Sequence, residues 1–223
     1  MTDLTPRNRS SCRQGFRTDT GGGETTHPRR SHQNSLSHYH RKWTSEWGQI
    51  RLIRSIRDEE YDAALAIINE AAQCYRGVIP DDRWHDPYFS ADYLASEMAS
   101  GVRFFGYEAG DELLGVMGVQ DVDEVTLVRH AYVLPRTQRG GIGGELLRWL
   151  LETTDKPVLI GTWAAAGWAI AFYEKHGFAC VSAEEKTRLL RRYWDIPERQ
   201  VETSVVLAER GALSRPTPDS QVA

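Results

Sequence analysis

The chain is poor in cysteine. It has three in 223 residues, Cys12, Cys74 and Cys180. Their spacing fits no metal site, and any disulfide would leave one thiol over. That excludes a disulfide scaffold and suits a reducing, cytoplasmic setting. Long apolar runs are also missing. No stretch reaches the ~18 apolar residues of a membrane helix. The start lacks the roughly 7–15-residue apolar core of a secretory signal. A basic surplus is absent too. The net charge is −4 and the pI about 6.0, which argues against a nucleic-acid partner.

The average hides an asymmetry. Residues 1–48 carry eight basic side chains and four acidic ones, +4 in all, which leaves −8 for the rest. Aliphatic residues are nearly absent there, and such a segment cannot bury enough apolar surface to offset its ordering entropy. It is expected to be a disordered basic leader. His27, His32, His38 and His40 lie in it without Cys or carboxylate partners at ligand spacing, so no metal is expected. An ordered body over 49–208 and a flexible tail over 209–223 complete the expected layout.

The body reads as alternating elements. Ile50 to Ile56 alternates like a strand. Asp58 is a candidate N-cap for a helix ending by Gly77, and Ser90 caps a shorter helix from Tyr93 to Met98. Val102–Glu108 and Glu112–Gln120 form a hairpin pattern. A strand runs from Val125 to Leu134. Helical spacing follows through Leu146, Leu147, Leu150 and Leu151. Pro157–Thr162 reads as a buried parallel strand. A helix from Trp168 to His176, a strand over 178–182, a helix over 184–193 and a last strand over Val201–Leu207 close the body.

The strand ending at Leu134 and the next helix are joined by Pro135-Arg-Thr-Gln-Arg-Gly-Gly-Ile-Gly-Gly144. Four glycines cost roughly 0.5–1 kcal/mol each where they replace a helix or strand former. Close approach of an anion to a helix N-terminus would offset that. A P-loop is excluded because Gly144 is followed by Glu145, not Lys-Ser/Thr. A dinucleotide fold is disfavoured because no acid occupies Ile160–Thr162. A purely structural turn stays open on the turn alone.

Gln138-x-x-Gly141-x-Gly143, behind Tyr132-Val133-Leu134-Pro135, resembles the acetyl-CoA pyrophosphate loop of the GCN5-related N-acetyltransferase (GNAT) family. A second stretch, Ala169-Ile170-Ala171-Phe172-Tyr173-Glu174-Lys175-His176-Gly177-Phe178, is similar to that family's A-x-x-F-Y helix. The resemblance spans about residues 50–208. Two positions depart from it: Arg139 stands where glycine is frequent, and Ala166 where asparagine usually opens the second motif.

The resemblance implies a single α/β (α+β) domain with a mixed, mostly antiparallel sheet flanked by helices. It implies an acyltransferase that moves an acetyl group from acetyl-CoA, without metal, to a primary amine of a small-molecule or peptide acceptor. A catalytically silent acetyl-CoA-binding or ligand-sensing module on the same fold is the alternative. The arm of the cofactor would pair with the backbone of Ala131, Tyr132 and Val133. Its pyrophosphate would take Gln138, Arg139, Gly140, Gly141, Gly143 and Gly144. Tyr173 is the expected general acid. His130 is a candidate base by its ordinary pKa, set against a structural role. Tyr75, Trp84, His85 and Trp163 are acceptor-pocket candidates, and aromatics with a few charges suit a small amphipathic amine. A homodimer stays open.

Overall fold

The computed structural model describes residues 41–44 and 50–211. The expectations for residues 1–40 and for the tail beyond 211 lie outside the described residues.

Eight strands form one sheet: β1 (Arg41–Thr44), β2 (Ile50–Ser55), β3 (Arg103–Ala109), β4 (Glu112–Val122), β5 (Val125–Val133), β6 (Val158–Trp163), β7 (Phe178–Cys180) and β8 (Ser204–Glu209). Their order is β1-β2-β3-β4-β5-β6-β8-β7. Every pairing is antiparallel except β5 with β6. The helices are α1 (Tyr61–Ala72), α2 (Ala91–Ala99), α3 (Ile142–Thr153), α4 (Gly167–Lys175), α5 (Ala183–Tyr193) and the short α6 (Glu198–Thr203). This is the mixed, mostly antiparallel sheet flanked by helices that the resemblance implied.

Alternation along the strands divides the core. Phe104, Val116 and Leu134 pack on one face with Ala64, Ile67 and Ile68 of α1 and Leu94 of α2. Phe105, Met117 and Val128 pack on the other with Ile142, Leu146 and Leu147 of α3 and Tyr173 of α4. Adjacent residues therefore serve opposite layers, as period-two geometry requires. The helix from the glycine turn is amphipathic, and its apolar stripe is what the sheet buries.

Four local expectations change. Asp58 does not cap a helix. Asp58–Glu60 form one tight turn, and α1 begins at Tyr61. The Glu60 carboxylate closes that turn by accepting the Arg57 N–H at 2.8 Å, and α1 itself has no side-chain cap. Val201 lies in α6, not in a strand. Pro197 fixes φ at −62° at that helix start, and Val201 packs with Leu189 and Leu190 of α5. The strand after Gly177 stops at Cys180 because Ser182 caps α5, accepting the Glu185 N–H at 3.2 Å. Finally, Arg41–Thr44, inside the stretch read as leader, pairs antiparallel with β2 from Arg41↔Ile53 to Thr44↔Ile50. Four residues are too few to stand out among basic and hydroxyl neighbours. An open sheet edge suffices to recruit them.

Beneath α1, the buried Arg54 is held by Glu60 through two 2.7 Å bonds and by Glu108. The Arg54 bond pulls the Glu60 carboxyl from 4.5 down to about 2. A depressed carboxyl pKa stabilises the fold above pH 4.5, and that contribution is lost as pH falls towards 2. Arg54→Leu takes this partner from Glu108 and leaves Glu60 with Arg57 alone, and is expected to cost about 3–5 kcal/mol in urea unfolding at neutral pH. Its stability should also fall less steeply between pH 5 and 2.5 than that of the unsubstituted chain. Equal slopes would remove the pair from the acid response.

Candidate active site

The parallel ladder between β5 and β6 is short: Thr126↔Val158, Leu127↔Leu159 and Val128↔Ile160. Beyond it the strands part. β5 continues to Val133 on β4, with Met117↔Ala131, Val116↔Tyr132 and Gly115↔Val133. β6 continues to Trp163 on β8. The result is a wedge whose walls are the backbone of residues 129–133 and 161–163. Strand edges facing such a gap offer N–H and C=O groups to an extended ligand. The parting begins at a bulge. Gly118 faces His130 but Val119 faces Val128, so Arg129 is the extra residue. A bulge bends and twists its strand.

The glycine turn sits at the end of β5. Pro135–Thr137 form one tight turn, and the Gln138 amide donates to the Val133 carbonyl at 3.2 Å. Arg139 and Gly141 then take left-handed φ values of 66° and 86°. This reverses the chain so that α3 starts at Ile142. The first N–H groups of a helix have no intrahelical partner, so those of Ile142, Gly143 and Gly144 form the donor cluster. The Gly140 N–H turns back to the Thr137 carbonyl at 3.3 Å.

The glycines differ in purpose. A Cβ on Gly143 would stand 3.3 Å from the Phe172 ring, and one on Gly144 would stand 2.7 Å from His176 Nε2. These two glycines let α4 lie against α3. His176 cannot easily give way, because its Nδ1 donates to the Phe172 carbonyl at 2.8 Å. A Cβ on Gly141 would meet nothing within 4 Å, so Gly141 is present for its backbone angle.

Tyr173 is 7% exposed and packs edge-on against Phe172 and Phe178, with ring centres 5.0 and 6.3 Å apart. Burial pushes its phenol well above the usual 10. Across from it, Tyr75 stacks on Tyr88 at 6.1 Å and tilts against Trp168 at 5.5 Å, while Trp84 lies 5.4 Å from Tyr88. The Tyr75 phenol is also raised, first by burial and then by the neighbouring Tyr173 and Tyr88; a bond to Thr162 in the β6 wall opposes the rise. Trp163, at the end of that wall, packs with Ile79 and Ala166 beside Tyr75 and Trp84. The indole N–H of Trp84 is buried without a hydrogen-bond partner. A cleft of about 460 Å³ adjoins this group, lined by Val78, Ile79, Asp81, Trp163, Ala164 and Thr203 among others. Tyr75, Trp84 and Trp163 therefore come together, whereas His85 is exposed and outside the aromatic cluster.

His130 is not near Tyr173. It lies on the α1–α2 face, stacked on Phe104 at 5.7 Å and edge-on to Phe89 at 4.8 Å. Its Nε2 is 2.7 Å from Glu97 Oε2. A carboxylate accepts, so this nitrogen carries the proton. Burial, the largest cause, lowers the His130 pKa. Simple alternation would separate Arg129 from His130. The bulge instead sends both towards Glu97 on α2, while Ala131 and Val133 pack on the other layer. Sequence reasoning missed Glu97. The signal was a carboxylate three residues after Leu94, on the buried face of α2.

Among the described residues no helix is long and apolar enough to cross a membrane, and no group of three or more His, Cys, Asp or Glu could hold a metal. Residues 100–180 match the family model of the acetyltransferase (GNAT) domain. No curated protein matches significantly. Among solved structures, PaiA N-acetyltransferase from Thermoplasma acidophilum, in complex with coenzyme A, is similar at 16% identity and TM-score 0.54, over 71% of this chain and 98% of that one. An acetyltransferase from Streptococcus agalactiae matches at 16% identity and TM-score 0.53, over 71% and 97%. The ribosomal-protein-S18-alanine N-acetyltransferase of Escherichia coli matches at 19% identity and TM-score 0.50, over 71% and 92%.

Proposed function

Residues 100–180 match the acetyltransferase (GNAT) domain, and from that premise we propose that the chain transfers the acetyl group of acetyl-CoA to a primary amine on a small amphipathic molecule. One observation carries the reading: two parallel strands part directly beside a glycine turn that opens a helix. A wedge between two parted strand edges suits an extended amide-bearing arm. A helix N-terminus suits a pyrophosphate.

The residues fit acetyl-CoA. The backbone of Ala131, Tyr132 and Val133 would hold its arm. The N–H groups of Arg139, Gly141, Ile142, Gly143 and Gly144 would hold its phosphates, with Gln138 bracing the turn. Acetyl-CoA supplies an activated thioester carbonyl. The chain's own residues orient the amine, exclude water and keep a proton at the Tyr173 hydroxyl for the departing sulfur. Tyr75, Trp84 and Trp163 form the apolar wall for the acceptor, the buried Trp84 N–H is a donor without a partner, and Asp81 in the cleft lining would receive an incoming ammonium. We assign His130 to the Glu97 contact, not to the base. That commitment is also what favours the second reading, a module that binds acetyl-CoA without turnover.

Calorimetry with acetyl-CoA, followed by thiol release over a panel of small amines and short peptides, separates these readings. Binding with amine-dependent thiol release supports the transferase. Binding without release from any amine supports the module. No binding removes both.

Arg139 offers a finer test. Glycine there would relieve about 1–2 kcal/mol of left-handed strain and lose roughly 0.4–1 kcal/mol to unfolded-chain entropy. Arg139→Gly should therefore change stability by less than about 2 kcal/mol. It should weaken acetyl-CoA binding several-fold at low salt and less at 0.5 M salt, because a screened charge is what was removed. Unaltered affinity at both salt concentrations would separate the Arg139 side chain from the phosphates.

A further inference from the structure

We propose that Glu97 is a positioning residue: by clamping Arg129 and His130 it fixes the phase of the β5 edge that lines the wedge. Glu97 is 7% exposed. Arg129 Nη2 lies 3.1 and 3.0 Å from its two carboxylate oxygens, and His130 Nε2 lies 2.7 Å from Oε2. The other Arg129 nitrogen, Nη1, donates to Gln120 Oε1 on β4 at 3.0 Å. Two successive β5 residues are thus tied to one carboxylate on α2. A regular strand cannot present two successive side chains to one face.

The extra residue sets everything after it. Val128 makes the last parallel pair with β6 and packs on the α3–α4 layer. Without the bulge His130 would follow it there, and Ala131 and Val133 would turn to the α1–α2 side. The N–H and C=O groups facing the wedge would exchange with those facing away. Glu97 therefore acts on ligand binding through the register of residues 129–133, without touching the ligand. The carboxylate is also kept charged: burial alone would raise its pKa, but His130 and Arg129 hold it below the usual range.

The ligand part of this inference rests on the acetyl-CoA reading above, and the register part does not. The experiment uses the full chain, as the unsubstituted protein, Glu97→Gln, and the pair Glu97→Gln/Arg129→Gln, which removes both charges together. Amide hydrogen exchange follows residues 129–133 against β3, and calorimetry follows acetyl-CoA. Glu97→Gln should speed exchange at 129–133 at least tenfold relative to β3 and weaken acetyl-CoA at least tenfold. The pair should recover melting temperature but neither local protection nor affinity. If Glu97→Gln does not fold, the pair carries the same comparison. Native protection and affinity in either variant, or a loss spread evenly over the sheet, would overturn the role. If the unsubstituted chain does not bind acetyl-CoA, the functional reading fails, and exchange alone decides the clamp.

Discussion

Gly141→Val should lose acetyl-CoA binding by a factor of about 10²–10⁴ while the fold survives. The reasoning starts from the backbone. Gly141 has φ of 86°, a conformation that a β-branched residue does not accept without strain. The cost of the left-handed state is about 1–2 kcal/mol, small against the stability of a domain this size. An added Cβ meets nothing within 4 Å, so the first side-chain atom adds no clash to the backbone cost. The turn can relax to negative φ, but that swings the N–H groups at the start of α3 away from one another. Each bond from such a group to a charged ligand contributes roughly 1.5–3 kcal/mol, and losing two gives the stated factor at about 1.4 kcal/mol per decade. The control is Gly144→Val. Its Cβ would lie 2.7 Å from His176 Nε2, so it should lower the melting temperature more than Gly141→Val does. Calorimetry and thermal melting on both variants decide the matter. A Gly141→Val protein with native affinity would take the phosphate away from this turn.

That contrast shows what the sequence could and could not carry. The turn between a strand and a helix was legible, because hydrophobic period changes from two to 3.6 across it and glycines mark the break. The division of labour among the glycines was not. Gly143 and Gly144 are explained by Phe172 and His176, some thirty residues downstream, and no local pattern reports such a contact. The same limit applies to His130. Its strand was legible, but a one-residue bulge at Arg129 changed the face, and bulges leave no mark in alternation when the flanking residues are polar. The aromatic cluster was legible only as a list. Tyr75, Trp84 and Trp163 met there, while His85, a neighbour of Trp84 in sequence, stayed outside. Val201 was misread because a helix of six residues between a proline and a strand is too short to show its own period.

Tyr173→Phe should lower kcat by about 10²–10⁴, the usual contribution of a positioned proton donor, while leaving acetyl-CoA affinity near native. The substitution removes one oxygen from a ring that packs against Phe172 and Phe178, and Phe refills the same volume. Stability should therefore change little, and a large loss of turnover could not be blamed on the fold. Burial raises the pKa of the phenol, which keeps its proton in place although it makes the group a weaker acid. A raised folded value means that the linked stability is complete below pH 10 and is lost only as pH rises through that value. Tyr173 thus stays protonated throughout pH 6–9 and should add no limb to the pH profile there. A free thiol titrates near ~8.5 in water, far below this phenol. The comparison that matters is in a water-poor site, where desolvation would raise the basicity of a departing thiolate as it raises the phenol. The gap between the two groups then stays near its solution size instead of widening by the full rise of the phenol. Steady-state rates at saturating acetyl-CoA, measured with the best amine from the panel, test this directly. A Tyr173→Phe enzyme that turns over at the native rate would remove the donor role, and an unchanged rate with weakened binding would move Tyr173 to the packing of the cofactor arm.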